Sequence, residues 1–283
     1  MYDNGNDNNP LTIGEGLGLY PLLGQKLETK VVDMTTEKLM DVADYTDKSD
    51  SKTLIALQGA CTDGTYVYVL KTDLADGSPN AAVTENNGPD QTRVIKIDPK
   101  TKTVVAVGPI ISVAHANDLT YNPNTGKLYS AWCSADASIY SVINPDTLNV
   151  EKNVDLKRDF FSIAYDSETD RYVLAKSGQA ANNFSLIVCD GNLNYVSEFE
   201  TERFGYTAQG IFCDAKYIYY TQSCRSGLGT KGSIITVHTW DGELVCVMRI
   251  DNSDEIESMF WYDDAFYACY QGDADYVAKL VVK

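Results

Sequence analysis

The chain has 283 residues, of which 44% are hydrophobic, and this is enough apolar material for one large packed domain. Its formal net charge of −17 repels phosphate backbones and anionic lipid, which argues against nucleic acid as a partner. Tyrosine occurs 19 times against 8 Phe and 3 Trp, a composition that favours β-strands over helices.

The chain opens with MYDNGNDNNP, a polar segment without the apolar pattern of a strand or helix. We predict a flexible tether over residues 1–25 and a single folded domain over residues 26–283. A polar tether of this kind is expected between a removed export signal and a folded domain. We therefore expect an extracellular or cell-surface protein, with a cytoplasmic location left open. The longest apolar stretch, 104–114, is interrupted by Gly108 and Pro109, so no transmembrane segment is predicted.

The segment from Leu27 to Tyr45 precedes the first repeat. It has two interpretations. It could add a strand to another part of the fold, or its EKLMDVADY stretch could form a short helix.

Five later segments share one pattern: an alternating apolar strand, a tight turn with an Asp or Asn, and a Tyr-rich strand. They are QGACTDGTYVYVLK, NDLTYNPNTGKLYSAW, FSIAYDSETDRYVLAK, QGIFCDAKYIYYTQ and SMFWYDDAFYACYQ, with turn residues Asp63, Asn122, Asp166, Asp214 and Asp263. This pattern is typical of propeller blades. It predicts an all-β, five-bladed β-propeller with four antiparallel strands per blade.

A second hairpin follows the first four of these segments. Its turns align as IDPKTKTV with INPDTLNV, and as CDGNLNYV with WDGELVCV. The fifth repeat ends at 276–283 with only its third strand. We therefore predict that an N-terminal strand supplies the missing one, closes the ring and covers the open edge.

A long polar loop, LADGSPNAAVTENNGPDQ at 74–91, separates the second and third strands of the first repeat. A loop of this length is either functional or without order of its own, and both interpretations stay open.

Metal and cofactor chemistry find little support in the sequence. The 7 Cys lack CxxC spacing, so we expect every one to be reduced, and the 2 histidines, His115 and His238, are too few for a histidine metal cluster. GEGLGLY at 14–20 lacks the third glycine of a dinucleotide fingerprint, and no GxSxG motif is present. We predict no metal and no cofactor.

The starts of the first strands and the ends of the second strands of all blades meet on one face of a propeller. Amide, lysine and aromatic side chains occur there, groups that suit a ligand with hydroxyls and flat apolar faces, such as a sugar. The predicted ligand-binding residues are Gln58, Lys71, His115, Asn117, Trp132, Lys176, Gln209, Gln222 and Tyr270. A water-filled funnel without a ligand is the alternative.

A catalytic alternative uses Asp118 and Glu257 with His115, and Asp166 as a further carboxylate, because two carboxylates across a funnel could act as acid and base on a glycosidic bond. A third interpretation is a protein-interaction platform whose acidic rim binds a basic partner. We favour non-catalytic binding of glycan or an envelope component, by a monomer.

The motifs QGACTDGTYVYV, HANDLTYNPNTGKLY and SIYSVINPDTLNV resemble a propeller family of bacteria and phages. This family includes teichoic-acid-biosynthesis protein C-like proteins, helveticin-like bacteriocins and receptor-binding propellers of staphylococcal phages. The resemblance covers residues 55–283. It implies a five-bladed ring, exported by Gram-positive bacteria or displayed on phage tails, that engages envelope glycopolymer. It carries over Gln58, Gly59, His115, Asn117 and Asp118. Because teichoic acid is polyanionic, the charge of −17 favours a neutral glycan, unless Lys71 and Lys176 form a local basic spot.

Overall fold

The computed structural model describes residues 30–42, 45–46, 53–54, 56–72, 92–111, 116–133, 138–176, 183–202, 207–223, 232–272 and 274–283. The predicted tether, the 74–91 loop, His115 and Cys224 lie outside these residues.

All regular structure in the described residues is β, and none of it is helical. The N-terminal strands are β1 (Lys30–Asp41), β2 (Tyr45–Thr46) and β3 (Thr53–Leu54). The part of the chain described here has no helix that could cross a membrane.

Three sheets of four antiparallel strands follow, each a meander in chain order. Sheet I contains β4 (Ala56–Thr62), β5 (Val67–Thr72), β6 (Thr92–Asp98) and β7 (Thr103–Val107). Sheet II contains β8 (Ala116–Asn122), β9 (Lys127–Trp132), β10 (Ile139–Ile143) and β11 (Val150–Asp155). Sheet III contains β12 (Ser162–Asp166), β13 (Arg171–Ala175), β14 (Asn183–Asp190) and β15 (Tyr195–Glu202).

The remaining strands form one eight-stranded sheet in the order β16-β17-β18-β19-β1-β22-β21-β20. They are β16 (Thr207–Cys213), β17 (Tyr217–Ser223), β18 (Ser233–Thr239), β19 (Leu244–Ile250), β20 (Glu255–Tyr262), β21 (Ala265–Gln271) and β22 (Tyr276–Val282).

Strand β1 explains why one sheet has eight strands where the repeat pattern predicts two sheets of four. Its first part, Lys30 to Met34, pairs parallel with β19, and its second part, Met34 to Asp41, pairs antiparallel with β22. The predicted N-terminal strand beside the last C-terminal strand is therefore present. The helical interpretation of EKLMDVADY is wrong for its first five residues, which belong to β1.

The apolar core lies between neighbouring sheets. One cluster joins sheets I and II through Leu70 and Leu119, and the next joins sheets II and III through Tyr129 and Tyr172. Further clusters join sheet III to β16–β18, β17–β19 to β20–β22, and β20–β22 to sheet I. The strands β4, β8, β12, β16 and β20 each contact the next, and β20 contacts β4. We call these five the inner strands.

Two of the repeat turns have the same hydrogen-bond pattern. The Asp63 carboxylate accepts the backbone N–H groups of Thr65 and Tyr66 and the hydroxyl of Tyr68. Asp214 does the same with Lys216, Tyr217 and Tyr219. One side chain thus closes the hairpin and orients a buried tyrosine, which is the physical reason for the Asp and Tyr spacing in the sequence.

Candidate functional site

Four of the five inner strands carry a β-bulge at the same place, near their first residues. The irregularity falls between Leu57 and Ala60 in β4, Ala116 and Asp118 in β8, Ala208 and Ile211 in β16, and Ile256 and Ser258 in β20. Bulges leave residues unpaired and redirect their side chains, and they are frequent beside functional sites.

The bulges hold four polar side chains that are almost closed off from solvent: Gln58 (4% exposed), Asn117 (7%), Gln209 (5%) and Glu257 (3%). We call these four residues the bulge ring. The Gln209 amide donates to a Glu255 carboxylate oxygen at 2.7 Å. The Asn117 amide nitrogen is buried and has no hydrogen-bond partner among the described residues. A buried amide without a partner is a place where a water or a ligand hydroxyl would bind.

The second strands meet the inner strands directly outside the bulges. Lys71 pairs with Leu57, Trp132 with Ala116, Gln222 with Ala208, and Tyr270 with Ile256. Lys71, Trp132, Gln222 and Tyr270 therefore occupy equivalent positions in the strand register.

Two of these residues are committed to contacts inside the protein. The Lys71 ammonium forms an ion pair with Asp275 at 2.9 Å, with both side chains buried. The Trp132 indole is 8% exposed, packs among apolar residues of sheets I and II, and donates to the Ser141 hydroxyl at 2.8 Å.

The other two side chains of this position are also buried. Tyr270 stacks on Tyr276 with ring centroids 5.2 Å apart, and its hydroxyl has no partner among the described residues. Gln222 is fully buried. Lys176, also predicted in the site, reaches across sheet III to Glu198 on the outer strand β15, at 2.8 Å.

Asp118 follows Asn117 and is fully buried at the meeting point of the inner strands. One carboxylate oxygen, Oδ2, accepts from the Ile163 amide at 3.3 Å, the Ile211 amide at 3.0 Å and the Ser162 hydroxyl. The other, Oδ1, lies 3.0 Å from the Leu119 amide and 3.3 Å from the Ser258 hydroxyl. A single side chain thus bonds to β12, β16 and β20.

The backbone of β4 also reaches this point. A Cβ atom at Gly59 would lie 2.4 Å from the Asp118 Cα, so only glycine allows β4 and β8 to approach so closely. Asp118 therefore touches all four other inner strands.

Burial raises the pKa of Asp118 to about 7, against the lowering effect of its hydrogen bonds from Ser162, Ile211, Leu119 and Ile163. A carboxyl with this pKa exchanges its proton near neutral pH. Its oxygens are occupied by protein groups on every side, so it is placed to hold strands together and not to touch a substrate.

The structure separates the other candidate carboxylates. Glu257 belongs to the bulge ring. Asp166 lies at the opposite end of β12, where its Oδ2 accepts the Thr169 amide at 2.9 Å, so it does not join Asp118. Among the described residues, no group of three metal-ligating side chains is positioned to hold an ion.

Sequence reasoning missed two contributors: Ser162, which bonds to Asp118, and Asp275, which pairs with Lys71. Ser258, which also bonds to Asp118, is the aligned first residue of the fifth repeat segment. Ser162 is the second residue of the third repeat segment, FSIAYDSETDRYVLAK, and its polar character at this strand start was the available signal. Asp275 stands in a short connection between strands, where the repeat pattern gives no information.

Comparison with solved structures supports the architecture. An exo-β-1,3-galactanase from Phanerochaete chrysosporium, in a structure with β-1,3-galactotriose, superposes with a TM-score of 0.57 at 13% identity, over 86% of this chain and 64% of that one. The fold is β-propeller-like. A luciferin-regenerating enzyme gives a TM-score of 0.50 at 12% identity, over 88% of this chain and 96% of that one.

No protein-family model matches the chain, and no curated protein is similar to it at a significant level. At sequence identities this low, the structural similarity is evidence for the propeller-like fold alone. The resemblance to teichoic-acid-biosynthesis and phage receptor-binding propellers stays a prediction.

Proposed function

We propose that the domain is a five-bladed β-propeller in which the eight-stranded sheet comprises two blades, β16–β19 and β20–β22 with β1. The support is the cyclic order of contacts among the five inner strands and the core cluster between each neighbouring pair of sheets. In this arrangement β1 is the outer strand of the last blade, and it closes the ring without leaving an edge on β22.

The function we propose is non-catalytic binding of a neutral glycan at the mouth of the central funnel, by the bulge ring. The observation that supports it is the repetition of one feature on four inner strands: a bulge that holds a buried amide or carboxyl side chain. Convergent polar groups that are protected from water are what a ligand rich in hydroxyls needs for directional hydrogen bonds.

Charge favours a neutral glycan over an anionic polymer. Lys71 and Lys176 are the two lysines predicted in the site. Both are in ion pairs, with Asp275 and Glu198. The net charge of −17 adds a long-range repulsion for phosphate polymers.

Glycoside hydrolysis receives less support from the geometry. An acid and base pair must reach the glycosidic oxygen and a water or the anomeric carbon. Asp118 is fully buried, and its oxygens accept or approach five groups of the protein. We therefore assign Asp118 to the scaffold of the site. An extracellular or surface location, and a monomeric state, complete the proposal.

A glycan array tests this function with a matched pair of variants. Asn117→Ala removes a ring amide, while Asn192→Ala makes the same change at an exposed turn at the far end of sheet III. We expect wild type and Asn192→Ala to bind the same neutral glycans and Asn117→Ala to lose at least tenfold in affinity, since a buried ligand contact is removed. Binding that is confined to phosphate-bearing glycans, equal binding by Asn117→Ala, or release of a shortened glycan would overturn the proposal.

A further inference from the structure

The Asp118 carboxylate bonds to the residues that immediately follow the bulges. The Ile211 amide comes directly after the Gln209 and Gly210 bulge, and the Ser258 hydroxyl comes directly after Glu257. Asp118 itself comes directly after Asn117. The position of three of the four ring side chains is thus tied to one carboxyl group.

The hydroxyl of Ser258 indicates that the proton on Asp118 matters. This hydroxyl lies 3.2 Å from the Ala60 carbonyl oxygen and 3.3 Å from Asp118 Oδ1, and it has one hydrogen for these two acceptors. If Asp118 ionises, one acceptor is left without the hydrogen. If Asp118 is protonated at Oδ1, it donates to Ser258, and Ser258 donates to Ala60 on β4. The neutral carboxyl therefore completes a chain of hydrogen bonds across three inner strands.

We propose that Asp118 is a pH-responsive positioning residue, which holds the bulge ring in its closed arrangement when it carries a proton and loosens that ring when it ionises. Its effect on ligand affinity rests on the proposed glycan-binding function. Its effect on the strands does not.

The electrostatic surroundings are consistent with a proton near neutral pH. Burial is the main cause that raises the pKa of Asp118 to about 7. The thiols that face it are Cys61 from β4, Cys213 from β16 and Cys269 from β21, and burial raises the pKa of each above its ordinary value, so they stay neutral while Asp118 titrates. Glu257 on β20 is the neighbouring carboxyl. No ionisable side chain of β12 bonds to Asp118, since Ser162 and the Ile163 amide make the contacts there.

The direction of the effect follows from linkage. Asp118 binds its proton more tightly in the closed arrangement than in an opened arrangement where water reaches the carboxyl. Opening of the bulge ring therefore becomes easier as the pH rises from the ordinary carboxyl pKa of 3.8 towards about 7. Because opening releases one proton, the equilibrium constant for opening changes by up to about tenfold per pH unit in this interval. Above the interval it does not change with pH.

The first measurement is a 13C NMR titration of the full chain labelled at aspartate Cγ, with Asp118 assigned by the resonance missing from Asp118→Asn. We expect a midpoint near neutral pH in the wild type. Ser162→Ala removes a donor to the ionised form, so it should move the midpoint to higher pH. The exposed turn variant Asp98→Asn should leave it unchanged. A midpoint near 4, or no shift in Ser162→Ala, overturns the assignment.

The second measurement is amide hydrogen exchange of 207–213 and 255–262, expressed as the ratio of protection in wild type to that in Asp118→Asn at each pH. The asparagine amide donates as the neutral carboxyl does but cannot ionise, so the ratio should be constant at low pH, fall as the pH approaches neutrality and then remain constant. A ratio that does not change with pH overturns the proposal. Neither readout uses a glycan. A pH-dependent ratio without any glycan binding would therefore refute the proposed function and leave this one standing.

Discussion

Lys71 at the end of β5 and Asp275 before β22 form an ion pair of 2.9 Å whose side chains are 0% and 2% exposed. The same Asp275 oxygen accepts the Leu57 amide at 2.9 Å. This pair links sheet I to the C-terminal strands, where the two ends of the repeat array meet. Burial raises the pKa of Asp275, while Lys71 opposes that rise.

The first prediction concerns this ion pair. Lys71→Met leaves the Asp275 carboxylate buried without its counter-charge, so we expect a loss of roughly 3–5 kcal/mol in the free energy of unfolding. Urea denaturation followed by circular dichroism measures it. Lys157→Met is the control, because Lys157 pairs with Asp155 at the surface, and it should leave the stability unchanged. If both variants unfold at the same urea concentration, the pair does not contribute to closure.

The second prediction concerns β1. Deletion of residues 1–42 removes a strand that pairs with both β19 and β22 and buries Val32 and Met34. Because two sheet edges and a core face become exposed, we expect a fall of several kcal/mol in stability, or aggregation. Deletion of residues 1–12 should not shift the melting temperature. Equal melting temperatures of the longer deletion and the full chain would show that β1 does not close the fold.

Much of this architecture could be predicted from the sequence, because an Asp or Asn recurs at the turn of each repeat, and in two repeats a tyrosine of the next strand bonds to it. The strand predicted near Leu57–Thr62 is β4, and the one near Ser258–Tyr262 is the later part of β20. The pairing of β1 with two strands could not be predicted. A strand of 12 residues is long enough to pair with β19 along its first part and with β22 along its second, and no local sequence pattern marks the residue where the partner changes.

The site was only partly predictable for a similar reason. Gln58, Asn117 and Gln209 stand out as polar residues at aligned strand starts, and each lies buried in a bulge of its inner strand. Asp118 was a catalytic candidate because Asp118 and Glu257 could act as acid and base across a funnel. Its hydrogen bonds to Ile163 and Ile211 join residues 45 and 93 positions away, and only the closed fold brings them near.

The third prediction concerns pH. The pKa of Asp118 in the folded protein, about 7, lies above its ordinary value of 3.8, so the folded state binds the extra proton. The stability that this group contributes is therefore complete below pH 3.8 and is lost as the pH rises to about 7. We expect the difference in unfolding free energy between wild type and Asp118→Asn to fall across this pH interval and to stay constant above it. Chemical denaturation at a series of pH values tests it, and a difference that rises with pH contradicts it.

The fourth prediction concerns the thiols. The six cysteines within the described ranges are reduced, and five of them are buried, with Cys133 more accessible. Alkylation under denaturing, non-reducing conditions should modify all 7 cysteines of the chain. In the native protein Cys133 should react well before Cys61, Cys189, Cys213, Cys246 and Cys269. Mass spectrometry of the labelled peptides measures both, and two unmodified residues in the denatured sample would indicate a disulfide.

The last prediction separates packing from binding at Trp132. The sequence places Trp132 among the residues predicted to bind a sugar. In the structure the indole fills the space between sheets I and II beside Leu70 and Leu119, and it donates to Ser141. Truncation of a buried tryptophan leaves a large cavity, so we now expect Trp132→Ala to cost roughly 3–5 kcal/mol of stability.

Trp261 provides the matched control, because it is 39% exposed and lies near the turn at the opposite end of β20. Trp261→Ala should be clearly less destabilising than Trp132→Ala. The comparison also constrains the site. If Trp132→Ala melts like the wild type yet loses glycan binding, the indole is a ligand contact. If Trp132→Ala is destabilised, and Asn117→Ala keeps the wild-type stability but loses glycan binding, the bulge ring holds the ligand. Asn117→Ala removes a polar contact without disturbing the core between the sheets, and Trp132→Ala does not.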